Sequence, residues 1–374
     1  MIIATNPLIG YNWIYMIHPI NKRLDARLDK LPASTYHLLS QIDQFKGQWV
    51  GGARLSPQLL GRLKRSVLIT STGASTRIEG SKLSDAEIEK LIRGLSMQKM
   101  TDRDFQEVKG YYDLLLMIFD KYGNIKFSEN SIFELHARLL KFSAKDIRHR
   151  GAYKALENSV EMKDANGNVL SVLFETTPAY LTPKQTQELI QWTQNAFSEA
   201  KYHPLLIIAN FIVEFLKIHP FLDGNGRLSR ALTNLFLLQS GFAYMPYVSL
   251  EKLIEDNKGD YYVALRASQT TFGTPNETIE PWATFFLSMC KQQAEQAIGL
   301  LTGESLERTL SPNQLLVWQY IQTVEEATIR DAAEATNVAR PTVRQAFDRL
   351  LELKLIERFG LGRSTRYRKD KQDL

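Results

Sequence analysis

Cysteine is almost missing from this 374-residue chain, with Cys290 standing alone. One thiol forms no internal disulfide and no thiolate metal site, which excludes a stapled secreted domain and a structural zinc site. Uninterrupted apolar runs of about 18 residues are lacking as well, so a membrane span is not expected. The first twenty residues carry no formal charge. No basic region precedes them, and Asn6, Pro7, Asn12 and the His18–Pro19 pair interrupt the apolar pattern, which argues against a signal peptide. The chain reads as soluble and cytoplasmic. A charge excess of one sign is also small: 46 Lys and Arg against 41 Asp and Glu leave +5, which permits local nucleic-acid contact but does not describe a basic coat. Low-complexity tracts and long internal repeats do not occur. What is present is 44% hydrophobic and 23% charged residues, enough for a sizeable core and incompatible with a disordered or collagenous protein. The length suggests two or three domains.

Hydrophobic spacing is mostly helical. Leu59, Leu60, Leu63, Val67 and Leu68 predict a helix from Pro57 to about Thr70, followed by a Gly/Ser/Thr knot at 71–76. Further helices are expected over 85–94, 104–122 and 130–140. Residues 148–178 change character: an Asn-Gly turn within 164–168, next to the β-prone run Val169–Phe174, signals a hairpin. The stretch from Pro204 to Ile218 is apolar nearly all round, as a helix buried mid-domain would be. Residues 300–311 look like a linker. Three helices (312–323, 328–335, 341–353) and a β-prone pair around Gly360–Gly362 then outline a winged helix-turn-helix. The expected fold is mainly α: an N-terminal helical region (1–104), a helical core with a short β-hairpin (105–299), the linker, and the winged module (312–374).

The stretch most informative about chemistry runs from Ile218 to Arg230: Ile-His-Pro-Phe-Leu-Asp-Gly-Asn-Gly-Arg-Leu-Ser-Arg. Pro220 disfavours helical geometry at the residue before it, so His219 is expected in an extended conformation at the end of the buried helix. A histidine so placed suits proton transfer near neutral pH. Gly224, Asn225 and Gly226 form a tight loop whose N–H groups can turn towards a phosphate. A helix starting near Gly226 adds free donors at its N-terminus. Arg227 and Arg230 are three apart and project from one face, with forks that match phosphate oxygens. Asp223 can hold Mg²⁺ against phosphates. Together these describe a polyphosphate site serving a nucleophile.

These residues are similar to the signature of the Fic-domain family, His-Pro-Phe-x-(Asp/Glu)-Gly-Asn-Gly-Arg-x-x-Arg, without departure. The resemblance covers roughly Phe105–Phe272 and implies transfer of AMP from ATP to a protein hydroxyl. It implies that His219 takes the proton of the attacking Ser, Thr or Tyr. Asp223 would hold Mg²⁺, Asn225 and the Gly224–Gly226 backbone would cradle the α-phosphate, and Arg227 and Arg230 would grip the β- and γ-phosphates. His18–Pro19 and His203–Pro204 share the dipeptide but lack the glycine loop, and carry no expected chemistry.

Ser75-Thr76-Arg77-Ile78-Glu79-Gly80 resembles the family's inhibitory motif, which implies that Glu79 pairs with Arg230 and denies it to the γ-phosphate; Ser75 and Gly80 complete the motif. The hairpin and the segment after it, with Thr176 and Thr177, resemble the flap that receives a target by strand addition; a plain surface hairpin is the alternative. Tyr261 and Tyr262, placed just before an amphipathic helix, resemble the adenine-side pair, and a core pair is the alternative. Gln269 stands where Asn is frequent. In the last module, Thr342, Arg344 and Gln345 would face base edges, with Arg363, Arg366 and Arg368 on the wing. DNA contact and a protein-docking or homodimerising role fit equally. The leading expectation is a self-inhibited adenylyltransferase acting on a target protein and itself; the alternatives are a hydrolase that removes AMP using Glu79 and an ATP-sensing DNA-binding regulator.

Overall fold

The computed structural model describes residues 20–52, 55, 57–94, 102–163, 169–353, 355–360 and 365–369. The chain divides into two compact units, Met1–Ile298 and Gly299–Leu374. The helices are α1 (Ile20–Asp29), α2 (Ala33–Gly52), α3 (Pro57–Ile78), α4 (Asp85–Ile92), α5 (Asp102–Lys121), α6 (Glu129–Leu139), α7 (Thr182–Glu199), α8 (Pro204–Ile218), α9 (Asn225–Gln239), α10 (Leu250–Asp256), α11 (Lys258–Gln269) and α12 (Glu280–Thr309). A two-stranded antiparallel sheet, β1 (Ser159–Lys163) and β2 (Val169–Glu175), separates α6 from α7 and pairs Ser159 with Glu175 and Val160 with Phe174. The Asn-Gly turn expected to join the strands lies outside the described residues. No described helix is long and apolar enough to cross a membrane.

The centre of the first unit is α8. Leu205, Ile208, Phe211, Val213, Phe215 and Ile218 are at most 1% exposed, and α7, α9, α1 and α11 pack around the helix. Its Asn210 and Glu214 are also buried, and each has a partner. Glu214 pairs with Arg23 Nη2 at 2.6 Å and Arg27 Nη2 at 2.7 Å, and both arginines also reach Glu277. Burial works against the Glu214 charge, yet the two guanidinium groups hold its carboxyl at about 2. The network fastens α1 and the turn before α12 to the central helix.

Residues 71–76 are helical rather than an irregular knot, and α3 continues to Ile78. The physical reason is packing. Ser71, Thr72, Ser75 and Thr76 are fully buried, where small side chains let α3 approach its neighbours. Thr76 satisfies its hydroxyl on the Thr72 and Gly73 carbonyls of its own helix. A Cβ at Gly73 would lie 2.5 Å from Arg77 Nη1 and Asp85 Oδ1. Residues 300–309, expected as a linker, are likewise helical and continue α12. Only Gly303 there disfavours a helix, and Pro312 marks the next start.

The second unit comprises α13 (Pro312–Gln322), α14 (Ile329–Thr336), α15 (Arg340–Glu352) and the antiparallel pair β3 (Ile356–Phe359) and β4 (Arg366–Lys369). Ser311 and Thr328 start their helices with reciprocal capping boxes. Val317, Ile321, Ala332, Val343, Phe347 and Leu350 form the core. Tyr367 and Ala327 exchange two backbone bonds of 2.9 and 2.8 Å, which seats β4 against the segment before α14. Arg363 lies outside the described residues.

A Cβ at Gly110 of α5 would stand 1.9 Å from the Leu139 carbonyl oxygen that ends α6. Gly110→Ala is expected to destabilise the first unit by about 2–3 kcal/mol through overpacking. Differential scanning calorimetry should show a melting point several degrees lower.

Candidate active site

The site forms where three helix ends meet. The first is the C-terminus of α3. Gly80 adopts φ 105°, a left-handed conformation that suits glycine. Its N–H bonds Arg77 O and the Ser81 N–H bonds Thr76 O, the paired closure of a Schellman motif with Glu79 as its C-cap. Ser75 and Glu79, four residues apart, share one face. That face meets Arg230. The guanidinium donates from Nε to Ser75 Oγ, and from Nη2 to Ser75 O and Glu79 Oε1, each at 2.8 Å. Burial opposes ionisation of Glu79, but Arg230 first, then Arg227 and His219, hold its carboxyl below the usual range. Burial opposes the Arg230 charge too, and Glu79 more than offsets it. Arg77 anchors this helix end to Glu255 and Asp85.

The second is the C-terminus of α8. His219 is left-handed, with φ 53° and ψ 61°, not extended as Pro220 led the sequence to suggest. The α8 backbone closes first, through His219 N–H to Phe215 O at 2.8 Å, and the chain must then reverse into α9. Proline stops the helix without dictating which non-helical basin precedes it. The half-buried imidazole places Nδ1 3.2 Å from Leu216 O. A carbonyl only accepts, so Nδ1 carries the proton and Nε2 is left as the base. Burial lowers the His219 pKa to about 4, against the Leu216 bond.

The third is the N-terminus of α9, capped by left-handed Gly224 without any side-chain acceptor. First-turn N–H groups have no intrahelical acceptor, and an end left without a side-chain cap suits an anion. Gly226 keeps this end open: a Cβ there would lie 2.3 Å from Glu79 Oε1. Asn225 was expected to cradle phosphate with its side chain. Its amide is instead committed to the turn, accepting from Phe221 N at 3.0 Å and donating to Phe221 O at 2.7 Å. Asp223 accepts from Gly224 N at 2.6 Å, Arg227 Nη2 at 3.0 Å and Lys145 Nζ at 3.0 Å. Burial raises its pKa, but Arg227 and Lys145 bring the carboxyl down to about 2. Arg227 is only 2% exposed and spans Asp223 and Glu107, the latter at 3.2 Å. In this state it braces acidic groups while Arg230 is held by Glu79.

Thr176 and Thr177 are 4% exposed. The Thr176 hydroxyl donates towards Asn158 and accepts from Lys154, and that of Thr177 donates to Gln185 Oε1 at 2.6 Å. Both hydroxyls are thus used to fasten the foot of the hairpin. Tyr261 and Tyr262 lie inside α11 rather than before a helix, because Asn257 already ends α10 and α11 starts at once. Tyr261 is buried against Trp282 and Phe285, and its neighbour Tyr262 is partly exposed. Gln269 turns inward and donates to Val213 O at 3.1 Å.

Four residues escaped the sequence reading. His136 accepts from Gly151 N at Nδ1, so its Nε2 carries the proton given to Asp223 O at 2.9 Å. Its ring stacks on Phe221 at 3.8 Å. Glu107, Lys145 and Lys154 complete the surroundings. A histidine at a core position of α6 was the available signal; the three charged residues had none, because ordinary surface helices and loops carry the same letters.

The family model described as Fic/DOC family matches residues 126–237, the span that holds α6, the hairpin, α8 and most of α9. Residues 126–237 are thus similar to a Fic domain. The chain is also similar to a probable protein adenylyltransferase of Aquifex aeolicus, 28% identical over 119 residues, which cover 30% of this chain and 36% of that protein. Similarity extends to the protein adenylyltransferase fic-1 of Caenorhabditis elegans, 26% identical over 159 residues, 42% of this chain and 27% of the relative. The chain thus spans about a third or less of the length of these relatives. In fold it is similar to a solved Fic family protein from Desulfovibrio desulfuricans, with a TM-score of 0.59 at 23% identity over 92% of this chain and 98% of the other.

A carboxylate whose pKa is lowered on folding contributes stability at pH above its unfolded value, about 4.3, and loses it as pH falls through the folded value. Glu79 is such a group. The stability difference between wild type and Glu79→Gln is expected to stay constant from pH 8 to 5 and to shrink at lower pH. Urea titrations across this range check it.

Proposed function

We propose that this Fic domain transfers AMP from ATP to a Ser, Thr or Tyr hydroxyl of a target protein, and of itself, and that Glu79 restrains it. One arrangement supports this above the others: an imidazole with a free Nε2 next to an uncapped helix N-terminus whose arginine is held by a carboxylate. Nε2 of His219 would accept the hydroxyl proton as the oxygen bonds to the α-phosphorus. The bond from that phosphorus to the β-phosphate oxygen breaks, and pyrophosphate leaves. The α9 amides and Arg230, once released from Glu79, would hold the phosphate charge. Tyr261 and Tyr262 would lie towards the adenine, and the hairpin would receive the target strand.

Among the described residues no group of three His, Cys, Asp or Glu side chains could hold a metal ion. A single partly exposed carboxylate, Asp223, suits Mg²⁺ that arrives with phosphates and keeps few protein ligands. Asp223 would hold it, and the ion would supply neutralising charge.

A second function is proposed for the second unit, winged-helix contact with DNA, favoured by Arg340, Arg344 and Gln345 exposed together on α15. Removal of AMP, with Glu79 positioning water, is the competing enzymatic reading.

Glu79→Gly tests the enzyme directly. Incubated with ATP and Mg²⁺, the variant is expected to incorporate AMP on the order of ten- to a hundredfold faster than wild type, from loss of one charge-assisted clamp. Glu79→Gly/His219→Ala should fall back by about a hundredfold or more. Intact-mass spectrometry reads both; equal incorporation by wild type and Glu79→Gly would refute the restraint, and loss of AMP-removing activity in the variant would favour the competing reading.

The acid limb gives a separate check. The base works when neutral, above its pKa, and burial places that near 4 rather than 6.5. Transfer by Glu79→Gly is expected to be level from pH 7 to about 5 and to fall below that, measured as initial rates.

A further inference from the structure

Lys154 has a placement that the chemistry above does not use. It lies between α6 and β1 and is 3% exposed. Buried ammonium groups are ordinarily matched by a carboxylate, yet no ion pair to Lys154 occurs among the described residues. Its three donors are met by neutral oxygens instead: Thr176 Oγ1 at 2.8 Å, Asn158 Oδ1 at 2.8 Å and Ile218 O at 3.3 Å. Its backbone N–H donates to Pro220 O at 2.9 Å. The carbonyls on either side of His219 are therefore both held by one residue. The same ammonium grips Thr176 at the foot of β2, and Asn158, before β1, bonds Phe221 O. A cation at the end of α8 also meets the negative pole of that helix.

We propose that Lys154 is a positioning residue that ties the β-hairpin to the His219 turn, so that the strand receiving a target and the base activating its hydroxyl stay in register. The inference rests on the transfer reading given above. It adds an alkaline limit. The charged groups facing Lys154 are Glu157 from its own segment, Lys217 of α8 and the imidazole of His219, which in turn faces Glu79 and Asp223. Burial outweighs Glu157 and, with Lys217, lowers the ammonium to about 8. Below that pH the lock is charged; above it the tie weakens and transfer falls. The charge also disfavours protonation of His219.

Lys154→Met and Lys154→Arg, each in the full-length Glu79→Gly protein, test this. Lys154→Met is expected to transfer AMP about ten- to a hundredfold more slowly at pH 7, with unchanged affinity for a fluorescent ATP analogue. Lys154→Arg should keep activity and lose the fall above pH 8. Two readouts need no transfer at all. Hydrogen exchange of hairpin amides 159–163 and 169–175 at pH 7 should quicken about tenfold in Lys154→Met, while α9 is unchanged. NMR of labelled histidine should show the His219 pKa raised in Lys154→Met. Unaltered hairpin exchange and an unaltered His219 pKa in a folded Lys154→Met protein would overturn the proposal even if no transfer is detected. An alkaline limb that persists in an active Lys154→Arg protein would overturn the pH claim.

Discussion

Chain reversal between α8 and α9 through a left-handed, non-glycine residue is the constraint on which the site depends. A side chain in that basin costs on the order of 1–3 kcal/mol and persists only when its surroundings impose it. At His219 they do so by binding backbone rather than side chains. The Asn225 amide takes both polar groups of Phe221, His136 takes Asp223 O, and Lys154 takes the carbonyls before and after the histidine. None of these groups needs to touch a nucleotide to matter. They fix where the imidazole points and which of its nitrogens is bare.

Charge around this turn, Lys154 apart, is matched before any ligand arrives. Asp223 lies between Arg227 and Lys145, Arg227 also meets Glu107, and Arg230 meets Glu79. Buried charges left alone are costly, so each is matched in the resting protein. On the function proposed, binding a polyphosphate here would be an exchange of partners. The guanidinium groups would trade carboxylates for phosphate oxygens, and net affinity would be the difference between two strong interactions. Such a site responds strongly to removal of one competitor and weakly to addition of one more cation.

Much of this was legible in the residues. The motif from His219 to Arg230 marks the site because its glycines, proline and arginines have few other reasons to occur at that spacing, and the burial of α8 was plain from its apolar run. The Glu79 contact with Arg230 was implied by six letters at the C-terminal end of α3. Other features were not legible for specific reasons. The small residues of 71–76 have weak helix propensity, and only close packing makes them helical. The roles of Asn225, Thr176 and Thr177 depend on which neighbour reaches them first, a tertiary fact. Lys154 and Glu107 look like solvated charges until the fold closes over them.

Gly226 lies where the Glu79 carboxylate approaches the α9 backbone and where, on the function proposed, a phosphate would approach it too. Any side chain at this position would fill the space that holds Glu79 and, on the function proposed, the space a nucleotide needs. Damage to the lock at this point therefore also spoils the keyhole. On the function proposed, accidental release would be confined to changes on the α3 side, while inherited errors in the glycine loop would leave the protein silent rather than unrestrained.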